Sequence, residues 1–174
     1  LLDHKAEVNI MTDYGASPLH ITAIRGDLGM AKLLLEHKAE VNAQTLNKLT
    51  CLHIAAWHGY LSLMELFLEK KADPNLPDYA GCGPIHYAVA HDDLEMVEFL
   101  LNHGANPSLT SLRGATPLDL ARAGDLHEMS NLLISYGAIA SATPPATRPS
   151  SRTTKRLTSR PTSRPASRPA SRPA

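Results

Sequence analysis

Nine histidines, two cysteines and 17 carboxylates are the side chains of this 174-residue sequence that have the chemistry for catalysis or metal binding. Their spacing organises neither. No cysteine pair stands beside a histidine pair at zinc-site separation, and Cys51 and Cys82 lie 31 residues apart. The densest acidic stretch, Asp92, Asp93, Glu95 and Glu98, reads as the start of a solvated helix, where negative charge suits the helix dipole. There is no glycine-rich loop to cradle phosphate and no Gly-x-Ser-x-Gly turn to present a nucleophile. Nothing near either thiol argues for a lowered pKa. The expectation is a protein that is not an enzyme, with no metal, no cofactor and no small-molecule substrate.

The histidines follow a different order. Ser17-Pro18-Leu19-His20 returns as Thr50-Cys51-Leu52-His53, Gly83-Pro84-Ile85-His86 and Thr116-Pro117-Leu118-Asp119, each step 33 residues long. A second phrase keeps the same period: Ala6-Glu7-Val8-Asn9, Ala39-Glu40-Val41-Asn42, Ala72-Asp73-Pro74-Asn75 and Ala105-Asn106-Pro107-Ser108. A weaker copy sits at Ala138-Ile139-Ala140-Ser141. Two phrases in phase define a repeat architecture.

Local chemistry places the elements. Ser17, Thr50 and Thr116 suit N-caps, and Pro18, Pro84 and Pro117 the first helical position, where no N–H is required. Short inner helices are predicted over 18–25, 51–58, 84–91 and 117–123, with turns at Gly26, Gly59, Asp92 and Asp125. Outer helices follow, carrying Leu33 to Leu35, Leu66 to Leu68, Phe99 to Leu101 and Leu132 to Ile134. These apolar runs are expected to dominate cohesion. The intervening polar segments, with Gly15, Gly81 and Gly114 at their tips, read as hairpins or loops. His37 and His103 fall at outer-helix ends, and His58 and His91 at inner-helix ends.

The period, the Thr-Pro-Leu-His phrase and the two-helix pattern resemble the ankyrin repeat family over residues 1–140. The resemblance implies an all-α repeat solenoid of stacked helix-turn-helix units with hairpin or loop fingers. Helix pairs are expected at 18–37, 51–70, 84–103 and 117–136, after a partial repeat end at 1–11. Leu1 to Ala6 match Leu34 to Ala39, so the sequence reads as opening inside the outer helix of an earlier repeat. Lys5, Lys38 and Lys71 stand where the family has the glycine seen here at Gly104 and Gly137, a position that favours a left-handed backbone. In the family the motif histidine ties neighbouring fingers and helices; Asp119 replaces it in the last repeat.

The family binds other proteins through finger tips and the exposed ends of inner helices. Carried over by register, these positions are Asp13, Tyr14, Ile24 and Arg25; Leu46, Asn47, Leu49, Trp57 and His58; Tyr79, Cys82 and His91; Leu112 and Arg113. They are rich in apolar and aromatic side chains for a surface, the composition of an interaction site. A groove centred on Trp57 and flanked by Tyr14, Leu46, Leu49 and Tyr79 is expected, with Trp57→Ala costing little stability. The reading is a scaffold or adaptor for another protein.

Charge divides the chain. Residues 1–140 hold nine Lys/Arg and 17 Asp/Glu, a net of −8, while residues 141–174 hold eight Lys/Arg and no acid, a net of +8. The second segment is Ser, Thr, Arg, Pro and Ala almost throughout and is expected to be a disordered basic tail. Its Ser-Arg-Pro steps mark Ser159, Ser163, Ser167 and Ser171 as candidate phosphorylation sites in a pattern that resembles basophilic-kinase substrates. The alternative function is therefore association with RNA or an acidic partner through this tail. No apolar stretch is long enough to span a membrane, and no secretory signal is visible; an intracellular setting, cytoplasmic or nuclear, is expected.

Overall fold

The structure is a computed structural model that describes residues 7–141. Eight helices run in pairs: α1 (Pro18–Arg25) and α2 (Leu28–Glu36), α3 (Cys51–His58) and α4 (Leu61–Glu69), α5 (Pro84–Ala90) and α6 (Leu94–Asn102), α7 (Pro117–Ala123) and α8 (His127–Ser135). No strand occurs among the described residues. The inner helices α1, α3, α5 and α7 form one row and pack more closely on one another than α2, α4, α6 and α8 do in the outer row. The fold is an all-α repeat solenoid.

Each boundary has a local cause. Thr50 and Thr116 accept the backbone N–H of the third helical residue, as expected of N-caps. Ser17 lacks that bond, and its hydroxyl makes a 2.8 Å hydrogen bond with His20 Nδ1, as the Thr50 hydroxyl also does with His53 Nδ1. Asp27 and Asp93 cap the outer helices by accepting from Met30 N and Met96 N, which gives the acidic stretch at Asp92 to Glu98 its structural role. The turns between paired helices are left-handed at Gly26, Gly59, Asp92 and Asp125, with φ of 71°, 76°, 57° and 56°. After the outer helices, Lys38 and Lys71 both take φ of 66°, where Gly104 and Gly137 take 85° and 82°.

Cohesion runs between repeats. Leu19, Leu52, Ile85 and Leu118, in register on the inner row, are buried, as are Leu63, Met96 and Met129 on the outer row. Burial of each is worth roughly 1.5–3 kcal/mol. The apolar runs contribute as expected except at two positions: Leu34, Leu66, Phe67, Leu100, Leu101 and Leu133 are buried and Leu35, Leu68, Phe99 and Leu132 pack against them, whereas Leu33 and Ile134 are exposed.

Polar ties repeat with the same period. His20 Nδ1 accepts from Ser17 N and its Nε2–H donates 3.1 Å to the Leu49 carbonyl of the next repeat. His53 does the same between Thr50 N and the Cys82 carbonyl. His86 accepts from Gly83 N, but its buried Nε2 makes no hydrogen bond of normal geometry. Burial lowers the pKa of all three rings, which favours the neutral imidazole; His20 and His53 bridge to the next repeat in that form. The asparagine of the second phrase forms a parallel ladder. Asn9, Asn42 and Asn75 side-chain oxygens accept from Glu40 N, Asp73 N and Asn106 N at 2.7–2.9 Å. Their amides donate to the carbonyls of Lys38, Lys71 and Gly104. Ser108 completes the series by accepting from Ile139 N.

In the last repeat Asp119 accepts from Thr116 N, Thr116 Oγ1 and Ser141 N. Burial works to raise its pKa, but these hydrogen bonds together hold the carboxyl below the usual value. Ser141, which the sequence places at the start of the tail, thus joins the folded body. Residues 1–6 and 142–174 lie outside the described residues, and with them Lys5, the basic tail and its four serines.

Candidate functional site

The fingers are tight turns built by a polar residue that recurs at period 33. Thr12, Thr45, Asp78 and Ser111 each accept, through a side-chain oxygen, the N–H of the residue four places on. Each also donates its own N–H to that residue's carbonyl, at 2.8–3.0 Å. The tips require a left-handed residue: Gly15, Gly81 and Gly114 at φ of 73°, 77° and 78°, and Lys48 at 59° in the second finger. Fingers then join edge to edge, with Leu46 N, Tyr79 N and Leu112 N donating to the carbonyls of Tyr14, Asn47 and Ala80. The Thr/Thr/Asp/Ser series is visible in the sequence at 33-residue spacing, and Lys48 falls in register with the tip glycines.

The expected partner-binding positions fall on the fingers and at the ends of the inner helices. Asp13, Tyr14, Ile24, Arg25, Leu46, Asn47, Trp57, His58, Tyr79, His91, Leu112 and Arg113 are exposed. Leu49 and Cys82 are half-buried. Cys82 is thus less open than a finger-tip thiol was expected to be, and burial first, then the Asp78 charge, pushes its pKa up. Cys51 is fully buried, with its thiol pushed up to about 12 by desolvation. Both cysteines are free.

A groove of about 440 Å³ lies between the first two fingers and the inner helices. Tyr14, Thr45, Asn47 and Leu49 line it from the fingers, His20 and Ile24 from α1, Ile54, Trp57 and His58 from α3, and Tyr87 from α5. The expected centre, Trp57, is there with Tyr14 and Leu49. Leu46 and Tyr79 are not; they project from separate finger tips, and Ile24, Ile54 and Tyr87 form the walls instead. A half-buried Tyr87 carries no partner-site signal in the sequence, since its register mates are Ile54 and Leu120.

Trp57 is 53 % exposed yet held from the side. Its ring meets Tyr87 edge-on at 5.5 Å and His91 at 5.4 Å, so α5 sets its orientation. Tyr87 is fixed in turn by donating to Asp78 Oδ2 at 2.5 Å. Burial, followed by that bond and the Asp78 charge, drives the Tyr87 phenol well above its ordinary value, so it stays protonated. Because Asp78 also accepts from Ala80 N and Cys82 N, one carboxylate couples the third finger to the groove wall.

Among the described residues no cluster of three or more His, Cys, Asp or Glu side chains is arranged to hold a metal ion. No helix among them is long and apolar enough to cross a membrane.

A family model described as ankyrin repeats in three copies matches residues 1–78. A second, described as ankyrin repeats in many copies, matches residues 59–101. Comparison with curated proteins finds no match. Ankyrin repeats are in general modules that bind other proteins, and in general scaffolds rather than enzymes. With the 33-residue register, the paired helices and these matches agreeing, the chain belongs to the ankyrin repeat family.

Proposed function

We propose that this chain is an adaptor that binds a partner protein in the groove between its first two fingers and inner helices, with Trp57 as the anchor. One observation carries the reading: a half-exposed tryptophan, pre-oriented by Tyr87 and His91, stands in an apolar groove of about 440 Å³. Tryptophan is a preferred hot-spot residue, and a side chain already ordered loses little entropy on binding. The groove suits an apolar or aromatic side chain of the partner, with His58 and Asn47 supplying polar contacts at its rim.

Affinity capture tests this with four proteins: wild type, Trp57→Ala, Ile24→Ser and a deletion after Ser141. Ile24 lines the groove without the ring contacts of Trp57, so it reports on binding with less effect on folding. Loss of the same captured protein by both substitutions, at retained helicity, and its retention by the deletion are the expected results. Capture that survives both substitutions, or that vanishes with the tail and weakens steeply with added salt, would assign binding to residues 142–174 instead.

A further inference from the structure

We infer, on the reading of the groove as the partner site, that Asp78 is a positioning residue for the Trp57 anchor. Acting through Tyr87, it makes the third finger a determinant of the affinity of a groove that the first two fingers line, although Asp78 does not itself line that groove.

A finger turn of this kind does not require a carboxylate. In the other three fingers a single hydroxyl suffices: Thr12, Thr45 and Ser111 each accept the N–H four residues on. Asp78 makes the equivalent turn with one oxygen, Oδ1, which accepts from Ala80 N and Cys82 N, both at 2.8 Å. Oδ2 is surplus to the turn, and it takes the hydroxyl of Tyr87. A carboxylate only 8 % exposed is costly to bury, so the turn alone gives no reason to prefer it to Thr or Ser. Its partner is equally out of pattern. Tyr87 stands where Ile21, Ile54 and Leu120 stand in the other repeats. Trp57 likewise stands where the others have Ile24, Ala90 and Ala123. The acid and the phenol thus occur together, in the one repeat that packs against the indole.

The Tyr87 ring is held at three points: its hydroxyl on Asp78, and edge-on ring contacts with His53 at 5.7 Å and Trp57 at 5.5 Å. The torsion that turns an aromatic ring has broad wells, so packing alone fixes it loosely. The bond to Oδ2 removes that freedom and gives the half-exposed indole a firm wall, with His91 as the other support at 5.4 Å. An indole without that wall regains rotamers that it must give up again when a partner binds.

Trp57 is the only tryptophan, so its time-resolved fluorescence anisotropy reads the anchor with no partner present. Asp78→Thr copies the first two fingers, keeping the turn and losing the tie. Tyr87→Phe keeps the ring and loses the hydroxyl. Each should give the indole a fast picosecond-to-nanosecond component that the wild type lacks, at unchanged helicity. The double variant should show no more than either single one, because both remove the same bond. Asp78→Asn keeps an acceptor for the turn and an amide that donates to the phenol oxygen, and should retain the wild-type decay. The protein that wild type captures and Ile24→Ser does not should bind Asp78→Thr roughly 2- to 10-fold more weakly, as expected for ordering one side chain anew. An indole decay unchanged in Asp78→Thr and Tyr87→Phe overturns the inference. So does an unchanged affinity beside a loosened indole, or an Asp78→Asn protein as loose as Asp78→Thr. If Ile24→Ser captures everything that wild type does, the groove reading fails instead, and the anisotropy alone decides whether Asp78 positions Trp57.

Discussion

Replacing Lys38 and Lys71 by glycine should stabilise the protein, although both changes remove a side chain. Both lysines hold φ of 66°, and both are exposed. A residue with a Cβ in the left-handed region costs roughly 1–2 kcal/mol. Glycine removes that cost but gives back about 0.4–1 kcal/mol through the greater freedom of the unfolded chain. The net gain is about 0.5–1 kcal/mol per site, or roughly 3–8 °C in melting temperature for the pair. The hydrogen bonds at these positions survive, because Asn9 and Asn42 donate to the backbone carbonyls of Lys38 and Lys71. Gly104 supplies the reverse experiment in the same register. A Cβ built there meets nothing within 4 Å, so Gly104→Lys probes the backbone conformation alone and should lower the melting temperature by a similar amount per site. Thermal unfolding followed by far-ultraviolet circular dichroism reads all three proteins. A double glycine variant melting at or below wild type, or a Gly104→Lys protein melting unchanged, would refute the assignment of strain to this position.

Acid should destabilise the stack through its motif histidines. The rings of His20, His53 and His86 have pKa values lowered by burial from 6.5, so the unfolded chain takes up protons first. Stability is full above pH 6.5 and declines as pH falls through and below that value; a melting temperature constant between pH 7.5 and 5 would contradict the bridging role. Asn42→Ala removes one rung of the ladder, and urea denaturation should show a loss of about 1 kcal/mol, with no change meaning that water replaces the bond at no cost. Phe67→Ala empties a fully buried site and should cost about 3–5 kcal/mol, with a loss below 1 kcal/mol showing that the neighbouring repeats close over the gap.

The four helix pairs, their proline starts and the left-handed positions at Gly26, Asp92, Lys38 and Lys71 are legible in the primary sequence. Each depends on chemistry within a few residues, and a 33-residue period displays that chemistry several times over. Position 12/45/78/111 and Lys48 were equally legible but are easily passed over, because Thr, Thr, Asp and Ser share only an acceptor oxygen, and the second finger substitutes lysine for glycine. The exposed finger and inner-helix ends follow from register in the same way, and Trp57 stands out by its type alone.

Only stacking decides the rest. Ile21 and Ile54 are the same residue in the same local setting, and one is open to solvent while the other is buried by the preceding pair. The groove walls are settled by the same means. Leu46 and Tyr79 look like flanks of Trp57 in the sequence, but the fingers carry them apart, while Tyr87 arrives from the next repeat and is pinned by Asp78. Local propensity sets what each repeat is. The neighbour it lies against sets which of its faces remain free to bind, because burial and aromatic contact are properties of pairs of repeats rather than of one.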